Sequence, residues 1–467
     1  MPAYYFKSMS SEVPAPNQER LLRATEYMRD PGRLRRDLTE RGVFTFPAYE
    51  SGLFPASDLS PEQRQATGMG MAWFRDNALV AFALYQDGRV EEATQVGSAF
   101  LTVLHNNEHI LNGESEDRLP ARVEGDTLEN DFEPRRQNDS VGYALWLASR
   151  LINDGAYRPT PDDLERLAQT AAYLERVEYW QDPDEGHWEE DRRIHGSSIG
   201  VDVAALHEAE QMLERFGYQH NIDFETLIER GSESLYNMLE DDVTDRPHPD
   251  QIEEPDPIYP DSINPSPEVD EFFRHFSIHR REHDAALLFL VEPLGVLHGE
   301  FAERIVEGIE DELVREQGTA RYAGDTYWEP RFPDIMTIEE RTTQAEGRTE
   351  QRNLTAAGVA YTETEAQWTM FDPILSAYWG KRYAESGDEA HRGKQLFYLD
   401  RSLNHLKPQA DGRLVMPESY FYHYVDGENR WIANDHSPLL WAHANLLTAV
   451  RIFEETSPTP ANQPAYA

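Results

Sequence analysis

Twelve segments of the chain repeat apolar residues with the period of an α-helix, and the links between them alternate between short and long. The segments are 19–30, 75–86, 89–107, 139–153, 161–176, 199–216, 223–241, 283–292, 298–315, 364–385, 388–405 and 438–455. The short links carry Gly88, Gly155, Gly217, Gly295 and Gly387, and glycine reaches the left-handed conformation that ends a helix, so each reads as a turn between antiparallel neighbours. The other links, about 31–74, 108–138, 177–198, 242–282, 316–363 and 406–437, are long, and in such an array they all emerge at one end. Strand-like alternation is scarce. Six hairpins with one plain and one elaborated end predict an all-α (α/α)6 toroid forming a single domain over 1–467. An open helical solenoid is the alternative, because periodicity does not show closure. Long loops gathered on one face suggest a built site. Segment 242–282, with seven prolines between Pro247 and Pro267, reads as a rim loop or lid rather than a linker.

The charge narrows the possible partners. Acidic residues number 86 against 43 basic ones, the net charge is −43, and lysine occurs only at positions 7, 381, 394 and 407. Carboxylates hold water and cations, whereas lysine stems expose apolar surface, so the balance is that expected of a chain selected for high salt. With 39% hydrophobic and 11% aromatic residues and evenly spread charge, the chain is expected to be globular rather than an acidic disordered tail. Nucleic acid and anionic membrane both demand basic patches and are not expected partners. There is no cysteine, which excludes thiolate chemistry. No apolar run has signal-peptide or membrane-span length, so a cytoplasmic location is expected.

The elaborated loops carry compact clusters of aromatic, charged and amide residues: GMAWFRDN at 70–77, PRRQNDS at 134–140, HWEED at 187–191, ARYAGDTYW at 320–328, MPESY at 416–420 and SPLLWAH at 437–443. Aromatic planes stack on sugar rings, and bidentate charged groups meet adjacent hydroxyls, so the set suits a neutral carbohydrate. His275, His279 and His283 are spaced as metal ligands on a helix, but lack a clear fourth ligand. Phosphate-binding glycine loops are absent.

These clusters, in this order, resemble glycoside hydrolase family 15, the glucoamylase-like inverting glycosidases, and its phosphorylase-kinase α/β-subunit-like branch. The likeness rests on Trp73, Arg75 and Asp76 in W-x-R-D; Gln137, Asn138 and Asp139 in Q-N-D; and Trp188, Glu189 and Glu190 followed by Gly196, Ser197 and Ser198. It continues with Arg321, Tyr322, Asp325, Thr326 and Tyr327, then Pro417 and Glu418, then Trp441 and Ala444. Where the family's hydrolases commonly have an aromatic residue four before the motif tryptophan, this chain has Met69. The resemblance implies that Glu189 is the general acid and Glu418 the general base, with Glu190 ionised against substrate hydroxyls. Burial beside the Trp188 indole is expected to favour a protonated Glu189. Arg75, Asp76, Asp139, Arg321 and Asp325 are implied to bind substrate, with Trp73, Trp188 and Trp441 as aromatic walls, and no metal or cofactor. The implied substrate is an α-glucan or maltooligosaccharide cleaved from its non-reducing end to release β-glucose. The alternative is a non-catalytic, regulatory glucan-binding toroid. Linkage, the choice of water or phosphate as acceptor, and oligomeric state stay open.

Overall fold

The computed structural model describes residues 22–60, 69–130, 136–190, 192–241, 243–246, 281–323, 325, 365–425, 428–434 and 436–457. The proline-rich segment 247–280, the loop 326–364, His275 and His279 lie outside the described residues, as do Thr326 and Tyr327.

Among the described residues, twelve helices build the ring: α1 (Pro31–Glu40), α2 (Phe74–Gln86), α3 (Val90–Asn106), α4 (Asn138–Asn153), α5 (Pro161–Arg176), α6 (Gly196–Phe216), α7 (Phe224–Glu240), α8 (Leu288–Val291), α9 (Gly299–Glu312), α10 (Phe371–Ser386), α11 (Glu389–Asn404) and α12 (Leu440–Thr456). A single further turn spans Glu108–Leu111. Helices α2, α4, α6, α8, α10 and α12 pack each on the next, and α12 packs back on α2. The ring is therefore closed, which rejects the open solenoid. Helices α3, α5, α7, α9, α11 and α1 lie outside α2, α4, α6, α8, α10 and α12 respectively.

Two burial patterns separate the layers. In outer α9 only Ala302, Ile305, Val306 and Ile309 are buried, one helical stripe. Inner α4 is buried nearly all round, from Asn138 through Ser149. At Gly142 it approaches α6 closely, since an added Cβ would stand 2.4 Å from an Asp202 carboxylate oxygen and 2.9 Å from Val201 Cγ1. Gly142→Ala is therefore expected to cost about 1–3 kcal/mol through overpacking, read as a lower unfolding temperature.

All five hairpin glycines have positive φ, between +61° and +83°. Gly217 and Gly387 are left-handed caps closing α6 and α10. The first helix differs from the expected 19–30. Residues Ala24–Tyr27 form a 3-10 turn, and the helix begins at Pro31 because a proline in the first turn loses no intrahelical hydrogen bond.

Short strands brace the elaborated end: β1 (Ala72–Trp73) with β2 (Arg122–Val123), and β3 (Ile194–His195) with β4 (Asp245–Arg246). A three-stranded sheet runs β5 (Gln367–Trp368), β8 (Ser419–Val425), β9 (Glu428–Ala433), while β6 (Lys407–Pro408) pairs with β7 (Leu414–Val415). Hairpin β8–β9, paired from Tyr420↔Ala433 to Val425↔Glu428, lies within a segment expected to be loop. Its signal was the Asp426-Gly427 dipeptide between alternating aromatic residues.

Candidate active site

The loop Glu185–Glu190 is tied at its base by paired backbone bonds between Asp184 and Arg193 (2.8 and 2.9 Å). Inside it the Glu190 amide donates to the Glu185 carbonyl at 3.0 Å. This tight path puts Glu189 at φ +58°, left-handed and uncommon for a residue with a side chain, at a cost on the order of 1–3 kcal/mol. The strain separates three consecutive side chains. The indole N–H of Trp188 donates to Asp284 (2.9 Å), Glu189 turns to Arg75 (Nη2 to Oε1, 3.4 Å), and Glu190 faces Arg281, Tyr322 and Arg321.

Around Glu189 the first cluster is anchored in α2 and α4. Arg75 is buried and donates to Asp139 at 2.8 Å and to Gln137 at 3.4 Å. Its guanidinium lies 5.9 Å from the Trp73 ring and 5.7 Å from the Trp441 ring, so both tryptophans flank it. Asp139 is fully buried and spends a carboxylate oxygen on Arg75. It holds the arginine in place. His187 stacks on Phe289 at 5.7 Å, with Nε2 3.2 Å from the Tyr143 hydroxyl, and burial pushes its pKa down to about 3, which keeps it neutral behind the cluster.

Asp76 is one of several carboxyls that burial perturbs. Its pKa is pushed up to about 7 by burial; Arg75 opposes this, and Glu189 and Glu418 both add to it. The Trp188 indole is directed at Asp284 and carries the Arg321 guanidinium 5.3 Å from its ring.

The second cluster surrounds Glu190. Burial works against ionisation there, yet Arg281 above all, then Arg321 and the Tyr322 hydroxyl, hold its carboxyl below the usual range. Arg281 lies 3.7 Å from the Tyr322 ring and donates to Asp284 at 3.1 Å. Arg321 is clamped by Asp325 through two 2.7 Å bonds, and the Trp368 indole donates to the same Asp325 at 2.7 Å. Asp325 is fully buried and, like Asp139, positions an arginine.

Across the ring, Glu418 precedes β8. Its amide donates to the His436 carbonyl, its carbonyl accepts from the Thr369 amide, both at 3.1 Å, and its Oε2 accepts from Asn434 (2.6 Å) and His436 (2.9 Å). Arg281, Asp284, Asn434 and His436 escaped the sequence reading. All four meet partners distant in the chain, and no local pattern marks them.

A closed helical toroid, with paired carboxylates, arginines and tryptophans at the loop end of its inner ring, is the architecture of a helical-barrel glycosidase. The model of the glycosyl hydrolases family 15 matches residues 41–332, well over half of the chain, which belongs to that family. Among solved structures, the Saccharomycopsis fibuligera glucoamylase is similar in fold at 14% identity and TM-score 0.56, covering 94% of this chain and 96% of its own. A wild-type glycosidase gives 17% and 0.56, covering 94% and 100%. A bacterial glucoamylase complexed with acarbose gives 16% and 0.53, covering 88% of this chain and 54% of its own. No curated protein matches the chain.

Proposed function

We propose that this glycoside hydrolase releases glucose as the β-anomer from non-reducing ends of α-linked glucans, by single displacement with Glu189 as general acid and Glu418 as general base. Water attacks the anomeric carbon as Glu418 takes its proton. Glu189 protonates the departing glycosidic oxygen, and the C1–O bond breaks with inversion. The observation that carries this reading is Asp76, whose carboxyl feels both Glu189 and Glu418, as expected if the two glutamates face one space.

Roles follow from the chemistry of each group. Ionised Glu190 accepts sugar hydroxyls, Arg75 and Arg321 donate to them from fixed guanidinium planes, and Trp73 and Trp441 form apolar walls. A sugar carries no net charge, so the strongly acidic chain does not repel it. Fungal and bacterial glucoamylases among the fold neighbours, one complexed with acarbose, support the choice of substrate class.

Maltose, maltotriose, isomaltose, trehalose and starch, each incubated in molar KCl and followed by proton NMR, test the reading. β-Glucose appearing first from any α-linked member is the expected result and names the linkage. Initial α-glucose would exclude inversion. Binding without turnover across the panel would instead favour a regulatory glucan-binding toroid.

A further inference from the structure

Two side-chain donors converge on the carboxylate of Glu418. Both side-chain hydrogen bonds recorded for it among the described residues fall on one oxygen, Oε2, from Asn434 Nδ2 at 2.6 Å and His436 Nδ1 at 2.9 Å. All three residues are more than nine-tenths buried. The bonds assign the donors. A carboxylate that acts as a base is ionised and only accepts, so with Glu418 in that role His436 carries its proton on Nδ1. Asn434 turns its Oδ1 to the Ser419 amide at 3.4 Å, which leaves Nδ2 for Glu418. The backbone repeats the pattern, since the Asn434 amide donates to the Ser419 carbonyl at 3.0 Å and the Glu418 amide to the His436 carbonyl. Strand β9 therefore delivers Asn434 and His436 to the glutamate that stands before β8.

We propose that His436 and Asn434 form a clamp that fixes Oε2 of Glu418 and leaves Oε1 to accept the proton of the attacking water, which makes His436 a positioning residue for the hydrolytic step. This rests on Glu418 being the base. Two donors on one oxygen fix the carboxylate plane and draw charge toward Oε2, so Oε1 meets the water along one direction. In a rotating carboxylate the same water is lined up only part of the time. The clamp touches neither the sugar nor the water and acts on turnover rather than on substrate affinity.

Three variants test it. His436→Phe keeps a planar ring without the donor, and kcat is expected to fall roughly ten- to a hundredfold with KM changed less than about twofold, the consequence of losing one hydrogen bond to a charged group. His436→Asn, which offers a side-chain N–H near the position of Nδ1, is expected to recover most of that loss. Asn434→Leu removes the other donor and is expected to give the same split between kcat and KM, which keeps the clamp testable if His436→Phe does not fold. Full turnover in His436→Phe and Asn434→Leu would overturn the clamp. So would equal losses in His436→Phe and His436→Asn, or a loss carried mainly by KM. Glu418→Gln in the same assay separates the two levels. If it turns over like wild type, the base assignment falls; if it is inactive while His436→Phe is unimpaired, the assignment stands and only the clamp falls.

Discussion

Glu418→Gln and Glu189→Gln are each expected to lower kcat on a natural glucan by about 10²–10⁴, the range for losing a positioned general acid or base, with oligosaccharide binding retained. Glutamine preserves shape. At position 418 its carbonyl oxygen accepts from Asn434 and His436 as Oε2 does now, and the amide nitrogen then faces the water with no capacity to take a proton. At position 189 its carbonyl still meets Arg75 Nη2, now 3.4 Å from Oε1, but has no acidic proton to give the leaving oxygen.

The two variants separate on an activated substrate. An aryl α-glucoside with a strongly acidic phenol leaves without protonation, so Glu189→Gln is expected to recover much of its rate on it, whereas Glu418→Gln still lacks the base that activates water. The reverse order of recovery would exchange the two roles. Wild-type rates in both variants would remove acid–base catalysis from these residues altogether.

The ring was legible in the sequence because its causes are local. Helical periodicity marks the helices, and glycine at positions such as 217 and 387 ends them whatever they pack against. The first helix slipped, placed over 19–30 where the chain forms a helix from Pro31 to Glu40. The aromatic alternation from Ser419 to Val425 was absorbed into a long loop although Asp426-Gly427 divides it from its partner strand.

Glu189, Glu190, Glu418, Arg75 and Arg321 stand in clusters the sequence marked, because the chemistry demands those residue types beside aromatic ones, whereas Arg281 and Asp284 carry no such mark. The pairing of these side chains was not legible. Arg281 meets Glu190 across 91 positions and His436 meets Glu418 across 18, contacts set by ring closure and by the β8–β9 register. The left-handed backbone at Glu189 is equally invisible in the string Trp188-Glu189-Glu190. That dihedral accompanies the turn of Glu189 to Arg75. Burial also raises Asp76, at the start of α2, which the sequence marked only as a substrate ligand.

Asp76→Asn is therefore expected to stabilise the free protein while impairing catalysis. An ordinary aspartate titrates near 3.8, and burial first, then Glu189 and Glu418, raise Asp76 to about 7 in the folded chain against the pull of Arg75. Between these values the folded state holds a proton that the unfolded state has released, so stability falls as pH rises through this window and is flat above it. The span is three units, worth roughly 4 kcal/mol at about 1.4 kcal/mol per unit. Asparagine carries no such penalty, and Arg75 keeps Asp139 as its partner at 2.8 Å. Chemical denaturation at pH 4 is expected to show the two proteins within about 1 kcal/mol of each other, with the variant gaining steadily to pH 7 and no further by pH 8. A difference that does not change with pH would reject the burial of an uncompensated carboxyl at this position. On the substrate-binding role that the family resemblance implies for Asp76, the same substitution is expected to lower kcat/KM by about two orders of magnitude, the cost of losing a charged partner to a buried hydroxyl.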